Sequence, residues 1–221
     1  MANPLTMLAA PAEAYQNIIE RPLWRSTLAF TTLILFVLFW LNGCWGNLSE
    51  GLQWSYLLGP ALISPLIVAI VSLSSTAVLF CLLVLMGGTS SRPRAFRTLF
   101  SVNIHCAIIL LLGEIVNILL IHAGPVTRMH LPLANRFPVG LDVLLLGTGS
   151  PNIYTAAFLH STSIFILWYM AALSGGVREV FGVSRRRSRV LVAAYWLILV
   201  TCTLGIVFAL GGGTAIRLQL S

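Results

Sequence analysis

Five long apolar stretches leave this chain few ways to fold. They run Trp24–Trp45, Leu62–Met86, Leu99–His122, Ala156–Gly175 and Val190–Leu210. At about 1.5 Å rise per residue, each crosses a hydrocarbon layer of about 30 Å. A lipid interior offers no water to backbone N–H and C=O groups, so each stretch must satisfy them within itself, as a helix does. The expected fold is all-α: a polytopic membrane helix bundle with five transmembrane helices and an N-terminal amphipathic interfacial helix. It divides into a cytoplasmic interfacial segment (1–23), a transmembrane domain (24–210) and an extracytoplasmic tail (211–221).

The arginines orient the plan. All thirteen basic residues are arginine. With the N-terminus inside, the inner segments collect Arg21, Arg25, Arg92, Arg94, Arg97, Arg178, Arg185, Arg186, Arg187 and Arg189. The outer segments hold only Arg128, Arg136 and Arg217. The positive-inside rule then predicts an N-in, C-out chain. A net charge of +7 raises the question of nucleic acid. These charges sit in short loops beside spans, however, where they face anionic lipid headgroups instead. The absence of lysine fits a GC-rich bacterial genome, and hence a bacterial inner membrane.

Ahead of the first span, Leu5, Leu8, Ala12, Tyr15 and Ile19 recur at helical spacing. Pro11 suits a first helical position, and Arg21-Pro22 would end the helix. Such a helix would lie on the inner leaflet, with Trp24 anchoring the span that follows; the alternative is a disordered tail. The first twenty residues carry Glu13 and Glu20 and lack a signal-peptide pattern, so the first span reads as an uncleaved anchor.

Cys44, Cys81, Cys106 and Cys202 have no metal-ligand spacing and read as small buried apolar residues, and no cofactor is expected. Asn47-Leu48-Ser49 is formally a glycosylation sequon, without meaning in a bacterium. Gln53, Trp54 and Tyr56 read as interfacial anchors in the first outer loop, and Ser72–Thr76 as hydroxyls bonding back to their own helix. The stretch Ala123–Thr155 is too long to lack structure, and Val139–Gly147 within it suits an interfacial or re-entrant segment. Gly87-Gly88 and Gly175-Gly176 both precede basic stretches and predict two similar turns at the inner surface, by duplication or by shared loop preference.

Glu114 is the acidic residue near the centre of a span, where such groups are costly. Asn117 shares its helix face, and His160 is the candidate partner on the fourth span, although its depth differs. These three form a candidate intramembrane polar site: a proton or cation relay or a substrate contact on one reading, a hydrogen-bonded packing contact on the other. No catalytic constellation appears. Gly211-Gly212-Gly213-Thr214 lacks the lysine of a phosphate loop.

The order of segments resembles a known family. Pro11-x-x-x-Tyr15-x-x-Ile18-x-Glu20-Arg21-Pro22-x-Trp24 precedes the first span, and Gly87-Gly88 with Phe96-Arg97-Thr98-Leu99 opens the third. Phe165-x-x-Trp168 lies in the fourth, and Val177-Arg178-Glu179-Val180-Phe181-Gly182-Val183-Ser184 leads into the fifth. Together they resemble the bacterial branch of the Yip family of five-span membrane proteins, from about Pro11 to Leu210. The Asp-Leu-Tyr-Gly-Pro-type motif of eukaryotic members is absent. The resemblance implies membrane organisation or partner binding rather than catalysis. A non-enzymatic scaffold would dock a membrane-protein partner, or a second copy, through Phe96, Arg97, Arg178, Glu179, Arg185, Arg186 and Arg187. The plainer reading is that these arginines only set topology and touch lipid. A small carrier built around Glu114 is the alternative function.

Overall fold

A computed structural model describes residues 5–20, 24–46, 54–87, 95–123, 129–131, 134–136, 141 and 153–211. Its helices are α1 (Thr6–Ala9), α2 (Pro11–Glu20), α3 (Trp24–Gly46), α4 (Trp54–Leu85), α5 (Ala95–Ala123), α6 (Ile153–His160), α7 (Ile164–Phe181) and α8 (Arg185–Gly211). Two three-residue strands, Met129–Leu131 and Ala134–Arg136, form a small antiparallel hairpin between α5 and α6. Apart from short turns between helices, the remaining described residues are helical. The sequon, Gln53, Arg92, Arg94, Gly88, the tail beyond Gly211 and all of Val139–Gly147 except Leu141 lie outside the described residues.

Four described helical segments have the length and apolarity to cross a membrane: Pro65–Leu85, Ala95–Leu120, Ile164–Phe181 and Arg185–Ala209. Trp24–Leu38 is a shorter apolar helix among the described residues. α5 is the axis of the bundle. Every residue from Leu99 to Cys106 is buried, as expected of a helix that is apolar all round. Helices α3, α4 and α7 pack against it. α4 and α8 leave one side uncovered, where Leu66, Ile70, Leu197 and Phe208 are exposed. Uncovered apolar faces of this kind are surfaces for lipid.

Three sequence expectations change. The second helix begins at Trp54 and absorbs the anchors Trp54 and Tyr56, running 32 residues, about 48 Å. The fourth span is not continuous: α6 stops at His160 and α7 starts at Ile164. Gly175-Gly176 makes no turn and lies inside α7, whose left-handed terminal residue is Gly182 at φ 66°. Gly87, at φ 72°, is a turn residue as the Gly-pair pattern predicts.

The N-terminal segment is helical, but its inward face is Met7, Ala14, Tyr15 and Ile18. Leu5 and Ile19 are exposed. α2 packs on α7 and α5 through this inward face, and of the expected stripe only Tyr15 is buried there. Of the cysteines, Cys106 is buried, whereas Cys81 and Cys202 are exposed on outward faces where a thiol meets no penalty in apolar surroundings.

Candidate functional site

Inside the bundle, one asparagine ties four helices together. Asn103 on α5 donates from Nδ2 to Ser75 Oγ and Thr76 Oγ1 on α4, both at 3.0 Å. Its Oδ1 accepts from the Tyr169 hydroxyl of α7 at 2.7 Å. Tyr195 on α8 lies 2.5 Å from Ser75 Oγ and 3.4 Å from the Tyr169 oxygen. Tyr169 has given its proton to Asn103, so toward Tyr195 it can only accept. Running the hydroxyls in that sense closes a ring, Asn103 to Ser75 to Tyr195 to Tyr169 and back to Asn103, in which every member donates and accepts. Thr76 passes its own proton to Ser72 O at 2.7 Å. Asn103, Thr76, Tyr169 and Tyr195 are all buried.

A second link joins α3 to α5. The Nδ1–H of His105 donates to the Ser101 carbonyl at 2.7 Å, which leaves Nε2 of the neutral ring to accept from Thr27 Oγ1 at 2.9 Å. Trp24 stacks edge-on against Phe100 at 5.6 Å, so α3 and α5 start together and run parallel.

The break between α6 and α7 is built from Ser161-Thr162-Ser163. Ser161 Oγ and Thr162 Oγ1 donate back to the Phe158 and Leu159 carbonyls, both at 2.5 Å. Ser163 caps α7 by accepting from Ile166 N at 3.3 Å. The indole N–H of Trp196 on α8 reaches the Ser161 carbonyl at 3.0 Å. Hydroxyls and a neighbouring helix thus satisfy the groups that an interrupted membrane helix exposes. A cavity of about 200 Å³ lies beside the break, lined in part by Ser161, Tyr169, Tyr195 and Thr203.

The predicted polar site lies further along α5 than this ring. Glu114 is half-buried and Asn117 buried one turn further along α5, while His160 is half-buried in the last turn of α6. All three have interaction partners within the protein. Gly113, beside Glu114, faces Phe165 so closely that a Cβ there would lie 2.9 Å from the Phe165 ring. The level of Glu114 on α5 is therefore the level of the α7 start, just past His160. Sequence reading missed Asn103, Tyr169 and Tyr195. The available signal was two tyrosines well inside apolar helices, since a buried phenol needs a partner.

The described arginine side chains gather at one end of the bundle. Phe96 on the first turn of α5 meets Phe80 near the end of α4 at 5.6 Å, with Arg97 exposed beside it. The Arg25 guanidinium lies 5.4 Å over the Trp24 ring. Arg178 pairs with its neighbour Glu179, its Nε donating to Oε1 at 3.1 Å, and both are exposed. Arg185, Arg186, Arg187 and Arg189 project from the first two turns of α8. Hydrogen bonds close the α7–α8 hairpin: Gly182 N donates to Arg178 O at 2.9 Å, and Ser184 Oγ accepts from Arg187 N at 3.3 Å. Ser188 Oγ donates to the Ser174 carbonyl at 2.5 Å and accepts from Ser174 Oγ at 2.7 Å. The N-terminal helix is clamped to the same end. Tyr15 lies over Gly175 and Gly176 and donates its hydroxyl to the Ala172 carbonyl at 2.5 Å. Burial pushes the Tyr15 phenol well above the usual tyrosine range.

Compared with known protein families, residues 5–207 match the family model of the Yip1 domain. The chain belongs to the Yip1-domain family. No curated protein and no solved structure matches it. A Yip1 domain with several long apolar helices is a multi-pass membrane protein. Most of the residues that carry the Yip resemblance shape the fold of this Yip1 domain. Pro11 opens α2, Tyr15 and Ile18 seat it, and Leu99, Val177, Val180 and Phe181 fill the core. Gly87 and Gly182 supply the left-handed turns, and Ser184 caps α8. Phe165 fits against Gly113, while Trp168 is exposed on the outward side of α7.

Proposed function

We propose that this Yip1-domain protein is a non-enzymatic scaffold of the bacterial inner membrane, with its arginine-rich end in the cytoplasm and α3 as the fifth crossing. The observation that carries this reading is the joining of α2, the start of α5 and the α7–α8 hairpin into one fixed surface. Phe96, Arg97, Arg178, Glu179, Arg185, Arg186 and Arg187 are all exposed there. The hydrogen-bond ring locks the helices beneath it, which suits a platform rather than a moving part. The partner is a membrane protein with an acidic inner face, or a second copy of this chain. The test is co-purification from native membranes with wild type and with Arg186→Glu/Arg187→Glu. Cysteine accessibility confirms that the last helix still inserts in its original sense. A stoichiometric partner lost in the correctly inserted variant supports docking; a partner retained there refutes it.

The carrier reading draws support from the helix break after His160, because interrupted membrane helices line substrate sites in many transporters. Glu114→Gln distinguishes the two. It would abolish proton-coupled transport by a carrier and leave a scaffold's assembly intact.

A further inference from the structure

The α7–α8 hairpin holds a cleft of about 410 Å³ at the arginine-rich end, within the range of small-ligand sites. Its mouth carries three guanidinium groups, Arg178 from the end of α7 and Arg185 and Arg189 one turn apart on α8. Below the mouth, the small residues Ala171 and Gly175 on α7 and Ala193 on α8 line the cleft together with Met170, Ser174 and Val192. Ala171 and Ala193 are exposed along it, so this part of the cleft opens toward the surroundings of the bundle.

Charge complementarity sets what can occupy the mouth. Arg185 and Arg189 have no ion-pair partner among the described residues, and Glu179 serves Arg178. Both lie at the positive end of the α8 dipole, where a cation is disfavoured and an anion is favoured. Arginine presents planar paired donors that match phosphate oxygens. The position of the cleft then separates the possible anions. The charged mouth stands at the end of two membrane helices, and the apolar trough continues along them. A molecule with a phosphate at one end and a hydrocarbon chain at the other fits both parts at once.

We infer that this cleft is a binding site for an anionic phospholipid, its phosphate held by Arg178, Arg185 and Arg189 and an acyl chain lying along Ala171, Gly175 and Ala193. This differs from the general attraction of basic loops to an acidic leaflet, because Arg186 and Arg187 sit between the same two residues and do not line the cleft. The bound lipid also neutralises the crowded start of α8. The inference is independent of the scaffold proposal, since it needs no protein partner and is measured on the isolated full chain.

The experiment is native mass spectrometry of the full-length, delipidated protein in detergent, titrated with phosphatidylglycerol, phosphatidylcholine or glycerol 3-phosphate. Wild type is expected to retain phosphatidylglycerol at least tenfold more tightly than phosphatidylcholine. Arg185→Gln/Arg189→Gln should lose that preference, whereas Arg186→Gln/Arg187→Gln, with the same change in charge, should keep it. Ala193→Trp fills the trough with every arginine in place and should also lose the lipid, so the test survives a poorly folded arginine variant. Equal losses in the two arginine pairs would reduce the effect to diffuse charge and overturn the site. Retention in Ala193→Trp would overturn the acyl-chain trough. Glycerol 3-phosphate binding as tightly as phosphatidylglycerol would make the cleft a receptor for soluble phosphate esters, and would overturn the inference as well.

Discussion

Placing alanine at Gly175 and at Gly176 in turn should produce opposite outcomes from neighbouring positions. A Cβ on Gly176 would lie 2.6 Å from Val102 Cγ1 and 2.8 Å from Tyr15 Cε1. Neither neighbour can yield easily. Val102 is a β-branched residue, 0% exposed, on the most enclosed part of α5, and the Tyr15 ring is pinned by its hydroxyl bond to Ala172. Overpacking of this kind costs about 1–3 kcal/mol. On Gly175 the nearest atom to a new Cβ is at 3.5 Å, an ordinary contact. Both substitutions gain the same helix propensity, about 1 kcal/mol for glycine to alanine. That gain cancels when the two variants are compared, leaving the overpacking cost as the difference. At about 2–4 °C per kcal/mol for a chain of this size, Gly176→Ala should melt about 2–12 °C below Gly175→Ala. The assay is thermal unfolding in detergent, followed by tryptophan fluorescence, with protease cleavage within α2 as a local readout. Gly176→Ala should also expose α2 to cleavage, because the clash falls on the residue that seats it. Equal melting temperatures for the two variants would refute the reasoning. A large loss in both would instead indicate that the pair serves as a turn.

Two further outcomes follow from the same contacts. Asn103→Ala removes one bond from each of Ser75, Thr76 and Tyr169 and leaves the Tyr169 proton without its acceptor, and should cost about 1–3 kcal/mol in thermal or denaturant unfolding. Adding Tyr169→Phe to that variant should cost much less than Tyr169→Phe alone, since the shared bond is already gone; full additivity would show that the ring does not act as a unit. For Tyr15, the folded phenol titrates above the free value of about 10, so the folded state holds its proton more tightly than the unfolded state. Its stabilising contribution is therefore complete below pH 10 and declines as the pH rises toward the folded value. Melting temperature measured against pH should show that alkaline decline in wild type and a smaller one in Tyr15→Phe; identical slopes would contradict a buried phenol.

Much of the membrane architecture was legible because its cause is local. A lipid interior forces continuous apolar runs into helices, so Trp24, Leu85 and Ala123 lie within a few residues of the boundaries that hydropathy predicts. The gathering of arginines beside helix ends was equally readable, because charge near a span is a property of the chain itself. The left-handed turn at Gly87 agrees with the Gly-pair signal, since glycine takes that conformation without strain.

The rest depended on neighbours that are distant in sequence. Gly175-Gly176 carries the same local signal as Gly87-Gly88, yet it remains helical because Tyr15 and Val102 need the space that a missing Cβ leaves. Ser161-Thr162-Ser163 tolerates a helix break because Trp196, 35 residues away, supplies a donor to the opened carbonyl. Glu114 drew attention as a charge in lipid, but the groups that bind α4, α5, α7 and α8 together are the uncharged Asn103, Ser75, Tyr169 and Tyr195. A hydrogen bond between helices leaves no periodicity in either one. The sequence by itself determined where the long apolar segments lie and where charge collects beside them, since both follow from the energy of each segment in lipid. Only the tertiary structure decided which small and polar residues meet, because that is a property of pairs of helices.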